Sequence, residues 1–221
     1  MARELDKPRP TKVLERGEYD RPIGEAVEPG IPSVMGTLPD DAPRNRLGLA
    51  QWLISRDNPL VSRVLVNRIW QRVFGEGIVR SPEDFGLQGK QPTHPELLDW
   101  LSVEFQENDW DLQHMLKLML TSRTFRQQSA QRTAIFEDPE NLWYSRGPSY
   151  RLDAEVIRDM ALWSSGLLDG HMGGEGVKPY QPAGLWKALM HPGSNTKNYV
   201  ADKGAKLYRR SLYVYWKRTS P

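Results

Sequence analysis

Three observations predict a mainly α, helical bundle-like domain with a long extended N-terminal arm and a minor β element near the C-terminus. From Arg44 to about Gln128, apolar residues recur at three- and four-residue steps with short breaks, the pattern of consecutive amphipathic helices. Residues 1–43 carry Pro, Gly and charge at close intervals, which favours extended, turn-punctuated chain. Near the end, YRRSLYVYWKRT alternates Leu212, Val214 and Trp216 against Tyr213 and Tyr215, the period of a strand. The expected layout is therefore an arm or linker over 1–43, the end of a preceding domain, and a helical domain over 44–221.

Within the arm, Thr11 to Arg16 has the makings of one short strand. Val13, Leu14, Val27, Ile31, Val34 and Met35 offer apolar anchors for an ordered arm. The first helix follows Arg44, with Leu47, Leu49, Ala50, Leu53 and Ile54 as its stripe and Asp57-Asn58-Pro59 as its end. A second helix carries Val61, Val64, Leu65, Ile69 and Val73 on one face. Arg63, Asn67 and Gln71 lie on a separate polar face, and Gly75 and Gly77 stop the helix. Ser81-Pro82-Glu83-Asp84 reads as a turn, and Thr93-His94-Pro95-Glu96 as a capping box that starts a third helix. Asp111 caps a fourth, with Leu112, Met115, Leu116, Met119 and Leu120. After a junction at 129–150, in which Asp138-Pro139-Glu140-Asn141 starts a short helix, Asp153 caps a fifth. That helix is apolar at Val156, Ile157, Met160, Ala161, Trp163, Leu167 and Leu168. HMGGEGVKPYQPAGLW then forms a glycine- and proline-rich loop too long to be a mere connector.

Composition narrows the function classes. With 38% hydrophobic and 26% charged residues in 221, the chain can bury a core, and wholesale disorder is excluded. A net charge of +2 is too balanced to argue for nucleic acid. The absence of cysteine removes disulfides, thiolate metal sites, a thiol nucleophile and covalently attached haem from these residues. No apolar run reaches the roughly 18 residues of a membrane span. MARELDKPRP does not read as a signal peptide, so the signal of an exported protein would lie on other sequence.

Several long phrases carry a family resemblance: RLGLAQWLISRDNPLVSRVLVNRIWQRVFGEGIV, SPEDFGLQGKQPTHPELLDWL, LMLTSRTFRQQS, DPENLWYSRGPSYRLDAEVIRDMAL, VKPYQPAGLW and YRRSLYVYWKRTSP. In order and over nearly the whole chain, they resemble the planctomycete-type domain of unknown function 1553. That domain is found C-terminal in large exported bacterial proteins that often bear a c-type cytochrome. The resemblance implies a periplasmic or cell-surface location, with neighbouring domains of the same parent protein or another exported protein as partners. It also implies that any haem c sits on a separate upstream domain. It carries over no catalytic residue. The chain stops at a phrase beyond which the family domain usually continues, so it is expected to be a partial copy.

The candidate catalytic residues are Asp84, Asp153, Glu155 and Asp159. Glu155 and Asp159 stand four apart and share a helix face, and paired carboxylates serve glycosidase-type hydrolysis. Arg151 and Arg158 can equally neutralise them in a structural ion-pair cluster, the preferred reading. Candidate ligand residues are Asn67, His171, Lys178, Tyr180, Gln181 and Trp186. Aromatic, amide and cationic groups on a loop suit a sugar or peptide groove, and a packed omega-type loop accounts for the same residues. For Asn67, Arg68, Glu83 and Asp84 the simpler role is to pin a long loop to a helix. None of the four histidines is paired at helical spacing, so no metal site is expected. Arg209, Arg210, Lys217 and Arg218 around the terminal aromatics resemble a single-strand nucleic-acid surface, but solvated strand ends are favoured. The leading expectation is a non-catalytic interaction or scaffold module beside a redox or polysaccharide-handling partner. A carbohydrate-active or other hydrolase comes second, and nucleic-acid binding third.

Overall fold

Hydrophobic steps of three and four residues fold as helices wherever a glycine, proline or cap bounds them. The computed structural model describes residues 9–130, 138–189, 191, 193–194 and 197–216. They form two compact units divided between Ser149 and Tyr150. The first holds strands β1 (Thr11–Leu14) and β2 (Pro22–Val27) and helices α1 (Arg46–Leu53), α2 (Val61–Phe74), α3 (Pro95–Glu107) and α4 (Leu112–Thr121). The second holds α5 (Ala154–Ser164), the single turn α6 (Leu185–Leu189) and two 3-10 turns, Gly204–Tyr208 and Ser211–Tyr213.

The core of the first unit is built on α2. Val66, Trp70, Val73 and Phe74 pack against Leu98, Leu101 and Phe105 of α3, Met115 and Met119 of α4, and Ile78 and Val79 of the following loop. The buried face is therefore turned from the one the sequence marks, because the two large aromatics take the interior and Leu65 faces out. Trp70 stacks on Phe74 at 4.0 Å, and Tyr144 meets both edge-on. The Trp70 indole N–H donates to the Tyr144 hydroxyl at 2.8 Å, so a residue 74 positions away locks the aromatic stack.

Helix ends follow the expected chemistry at most places. Asn45 accepts from the Leu47 and Gly48 amides, and Asp111 from those of Gln113 and His114. Gly75, at φ 89°, ends α2 in a conformation that side chains resist. The capping box at Thr93 does not form. His94 is the N-cap with no side-chain cap bond, Pro95 takes the first turn, and the Thr93 amide and hydroxyl both donate to the Ile78 carbonyl. Anchoring the long loop has won over capping the helix. Asp138 starts no helix either; its buried carboxylate accepts the amides of Leu142 and Trp143 in a turn.

Two further expectations change. In α1 the apolar stripe Leu47, Leu49, Leu53 and Ile54 is exposed, while Gly48 and Trp52 face inward. An added Cβ on Gly48 would lie 2.0 Å from the Pro43 carbonyl oxygen, so glycine is what lets the arm lie against this helix. The two-stranded sheet occurs in the arm, where β1 and β2 pair antiparallel through a turn at Arg16 and Gly17. Near the C-terminus, among the described residues, isolated parallel bridges, Asp169 to Arg209 and Val177 to Val214, stand in place of the expected strand.

Candidate functional site

The second unit collects most of the candidate residues, and its chemistry begins on α5. Asp153 occupies the N-cap position but makes no capping hydrogen bond, and Glu155 sits exposed in the first turn. Asp159 is spent on the backbone: the Ser211 amide donates to its two oxygens at 2.8 and 3.1 Å. Beside it, Arg158 donates to the carbonyls of Leu207 (2.8 Å) and Arg209 (3.0 Å) and to the Ser211 hydroxyl (3.0 Å). Residues 207–211 have no regular partner strand, and this arginine–aspartate clasp supplies the hydrogen bonds that a sheet would. The Ser211 amide goes to Asp159 and residues 211–213 take a 3-10 turn, so only bridge pairing at Val214 follows among the described residues.

The glycine loop is organised by Arg209. Its guanidinium donates to the carbonyls of Glu175 (2.8 Å), His171 (3.2 Å) and Gly173, and lies 4.0 Å from the centre of the Tyr213 ring. Tyr213 in turn accepts the Gly173 amide at 2.7 Å. Far from being a solvated strand end, Arg209 is only 7% exposed. A planar five-donor cation suits a ring of carbonyls that no sheet or helix satisfies. His171 contributes its backbone to this cage, and its side chain is exposed.

Trp186 closes the small core of this unit. It is 3% exposed, with Tyr199 at 4.9 Å and Tyr215 at 5.6 Å between ring centres. Val177 bonds through both backbone groups to Tyr213 and Tyr215. Lys178 places its ammonium 5.2 Å from the Tyr215 ring centre, and its backbone pairs with Asp202. Tyr199 donates to the Pro179 carbonyl; burial, with the Asp202 carboxylate adding to it, pushes this phenol above its ordinary pKa. Gln181 has a buried carbonyl oxygen without a hydrogen-bond partner among the described residues. Of the loop candidates, Tyr180 stands well out in solvent.

Two candidates lie in the first unit. Asn67 is fully buried on α2; the Val79 amide donates to its side-chain oxygen at 2.8 Å and its nitrogen donates to the Val79 carbonyl at 2.9 Å. It is the loop pin. Asp84 lies in a tight loop, where the Gly86 amide donates to its carboxylate and the Ser81 hydroxyl to its carbonyl. Nearby, the guanidinium of Arg80 pairs with Glu140, which raises its pKa, and with Glu76 at 3.6 Å. Lys217 and Arg218, half of the basic–aromatic set, lie outside the described residues.

Two surfaces lie outside the candidate site residues. On α5 and just beyond it, Val156, Met160, Trp163 and Leu167 recur at helical spacing, with Ile157 beside them; all five are 43–75% exposed. Apolar periodicity marks such a face but cannot say whether its partner lies within the same chain. In the first unit, a cleft of about 600 Å³ opens along the arm and α1, with Met35, Asp41, Pro43, Gly48, Trp52 and Asp57 among its walls. Among the described residues, no three histidine, aspartate or glutamate side chains converge as a metal site would need, and no helix is long and apolar enough to cross a membrane.

Among known proteins, a family model described as PSD1, protein of unknown function (DUF1553), matches residues 45–221. No curated protein and no solved structure matches the chain.

Proposed function

The chain belongs to the PSD1 (DUF1553) family, and on that premise we propose that it works as a non-catalytic interaction module. The observation that carries this reading is the set of exposed apolar residues on α5 and just beyond it, Val156, Ile157, Met160, Trp163 and Leu167. Large exposed aromatics and methionines set among polar surface are the composition of a protein contact. Asp159, one of the four candidate catalytic carboxylates, accepts the Ser211 amide, which favours a structural role for it. The module belongs to a larger exported bacterial protein, periplasmic or cell-surface. There it holds a redox or polysaccharide-handling neighbour, a domain of the same parent protein or a second exported protein. A haem c in such an assembly attaches elsewhere, since these residues include no cysteine.

The test is a photo-crosslinking amino acid at position 163 in the protein as its own cells produce it. A discrete adduct, mapped by mass spectrometry to a neighbouring domain or an exported partner and lost with Met160→Lys, supports the reading. Irradiation that yields only uncrosslinked protein overturns it.

A further inference from the structure

The cleft along the arm and α1 is a separate surface from α5, and its walls have a definite chemistry. Gly48 sets the floor, because only a residue without a Cβ lets the Pro43 carbonyl approach this closely. Asn45 keeps α1 in place by capping it, and the Asn45 amide donates to that same Pro43 carbonyl at 2.8 Å. Met35, Pro43 and the largely buried Trp52 give the cleft an apolar side. Asp41 and Asp57 give it charge; among the described residues no Lys, Arg or His lines it, and neither carboxylate has an ion-pair partner. Thr37 and Asp41, both on the wall, have neither backbone amide nor carbonyl bonded to the rest of the described chain. The volume of about 600 Å³ lies within the ~300–1,000 Å³ of ligand clefts and exceeds what a lone cation or simple amine would fill.

We propose that this cleft binds a basic peptide segment. A lysine or arginine side chain is held against Asp41 and Asp57, its aliphatic stem lies on the apolar wall, and its main chain pairs with the open backbone at Thr37 and Asp41. Charge complementarity selects a cation over an anion, because the described lining offers two carboxylates and no counter-charge. Apolar walls suit the stem of a long basic side chain, which buries its methylenes while its head stays polar. Open main-chain donors and acceptors favour a peptide over a polyamine, which has no amide to pair with them.

The experiment is fluorescence anisotropy on the full chain with labelled Gly-Lys-Gly-Arg-Gly, its glutamate counterpart Gly-Glu-Gly-Glu-Gly, and spermidine as a competitor. The basic peptide saturates, and the acidic one binds at least about tenfold more weakly. Asp41→Asn with Asp57→Asn weakens the basic peptide by at least about tenfold while the circular dichroism spectrum is unchanged. Glu83→Gln, exposed and outside the cleft, leaves binding as it was. Equal binding of the two peptides, no binding of the basic one at millimolar concentration, or unchanged affinity in the double variant overturns the proposal. Spermidine matching the peptide in affinity also overturns it, and assigns the cleft to polyamines. Because α5 takes no part in these measurements, their failure leaves the crosslinking result at position 163 untouched, and the reverse holds.

Discussion

Asn67 and Val79 clasp each other through two hydrogen bonds of 2.8 and 2.9 Å, with the asparagine fully buried. One side chain thus satisfies both backbone groups of a loop residue twelve positions away, doing for an irregular segment what a neighbouring strand would do. Gly77 leaves room for it: a Cβ there would stand 2.6 Å from the Val79 oxygen and under 3 Å from both amide atoms of Asn67.

Replacing Asn67 with Ala strands a buried donor and a buried acceptor together, which costs about 2–4 kcal/mol. Gly77→Ala forces the same two hydrogen bonds apart and destabilises by a similar amount. Since both changes break one clasp, their combination falls well short of additive. Urea denaturation of the two single variants and the double variant measures this directly; full additivity would mean that the clasp contributes nothing as a unit.

Arg209→Lys keeps the positive charge and removes the fork. A single ammonium cannot serve the carbonyls of His171, Gly173 and Glu175 at once, and it loses the flat stacking on Tyr213. The expected cost is about 1–3 kcal/mol, borne by the second unit. A glutamate-specific protease should then cut at Glu175 faster than in the parent protein. An unchanged cleavage rate would show that the glycine loop holds its shape without the cage.

How far the sequence could go is clear from these two arginine and asparagine sites. Helices α2 to α5 were legible because apolar spacing and caps are local signals, and Asp111 acts as its position announces. The loop-pinning role weighed for Asn67 could be guessed from its place on α2, but its partner could not. Arg209 was misjudged because its acceptors are backbone carbonyls 34 to 38 residues away, and carbonyls are the same in every sequence. The alternation at 212–216 reads as a strand because periodicity registers side chains, whereas the backbone takes a 3-10 turn at Ser211–Tyr213 with the Ser211 amide on Asp159. The apolar stripes of α1 and α5 are legible in the sequence, but their exposure is not, for the opposite reason. An apolar stripe calls for a partner without saying which one.

Asp159 distinguishes a structural carboxylate from a catalytic one. Asp159→Asn retains an oxygen to accept the Ser211 amide and should cost about 1 kcal/mol, whereas Asp159→Ala orphans that amide and costs about 1–3 kcal/mol. In a hydrolase the two substitutions would instead abolish turnover alike, whatever their effect on folding. Thermal melts of the two variants, read beside a polysaccharide hydrolysis assay, separate these cases. Graded stability with no wild-type turnover to lose fits the clasp. Equal stability with turnover lost in both would favour the hydrolase.

Tyr144 ties the stability of the first unit to alkaline pH. Burial lifts its phenol above the ordinary value of 10.0, and the indole of Trp70, donating to its oxygen, pulls only partly the other way. In the unfolded chain the phenol returns to about 10.0 and releases its proton first. The stability that this group lends is therefore complete below pH 10.0 and is lost as pH rises through the higher folded-state value. Tyr144→Phe keeps the edge-on contacts with Trp70 and Phe74 but deprives the indole N–H of its acceptor, a loss of about 1–2 kcal/mol at neutral pH. As pH climbs beyond 10.0 the parent protein weakens through this titration and the variant does not, so the gap between them narrows. Paired guanidinium titrations from pH 8 to above 11 would follow it; a gap that stays constant would mean that the phenol titrates alike in both states, and that its burial has no energetic consequence.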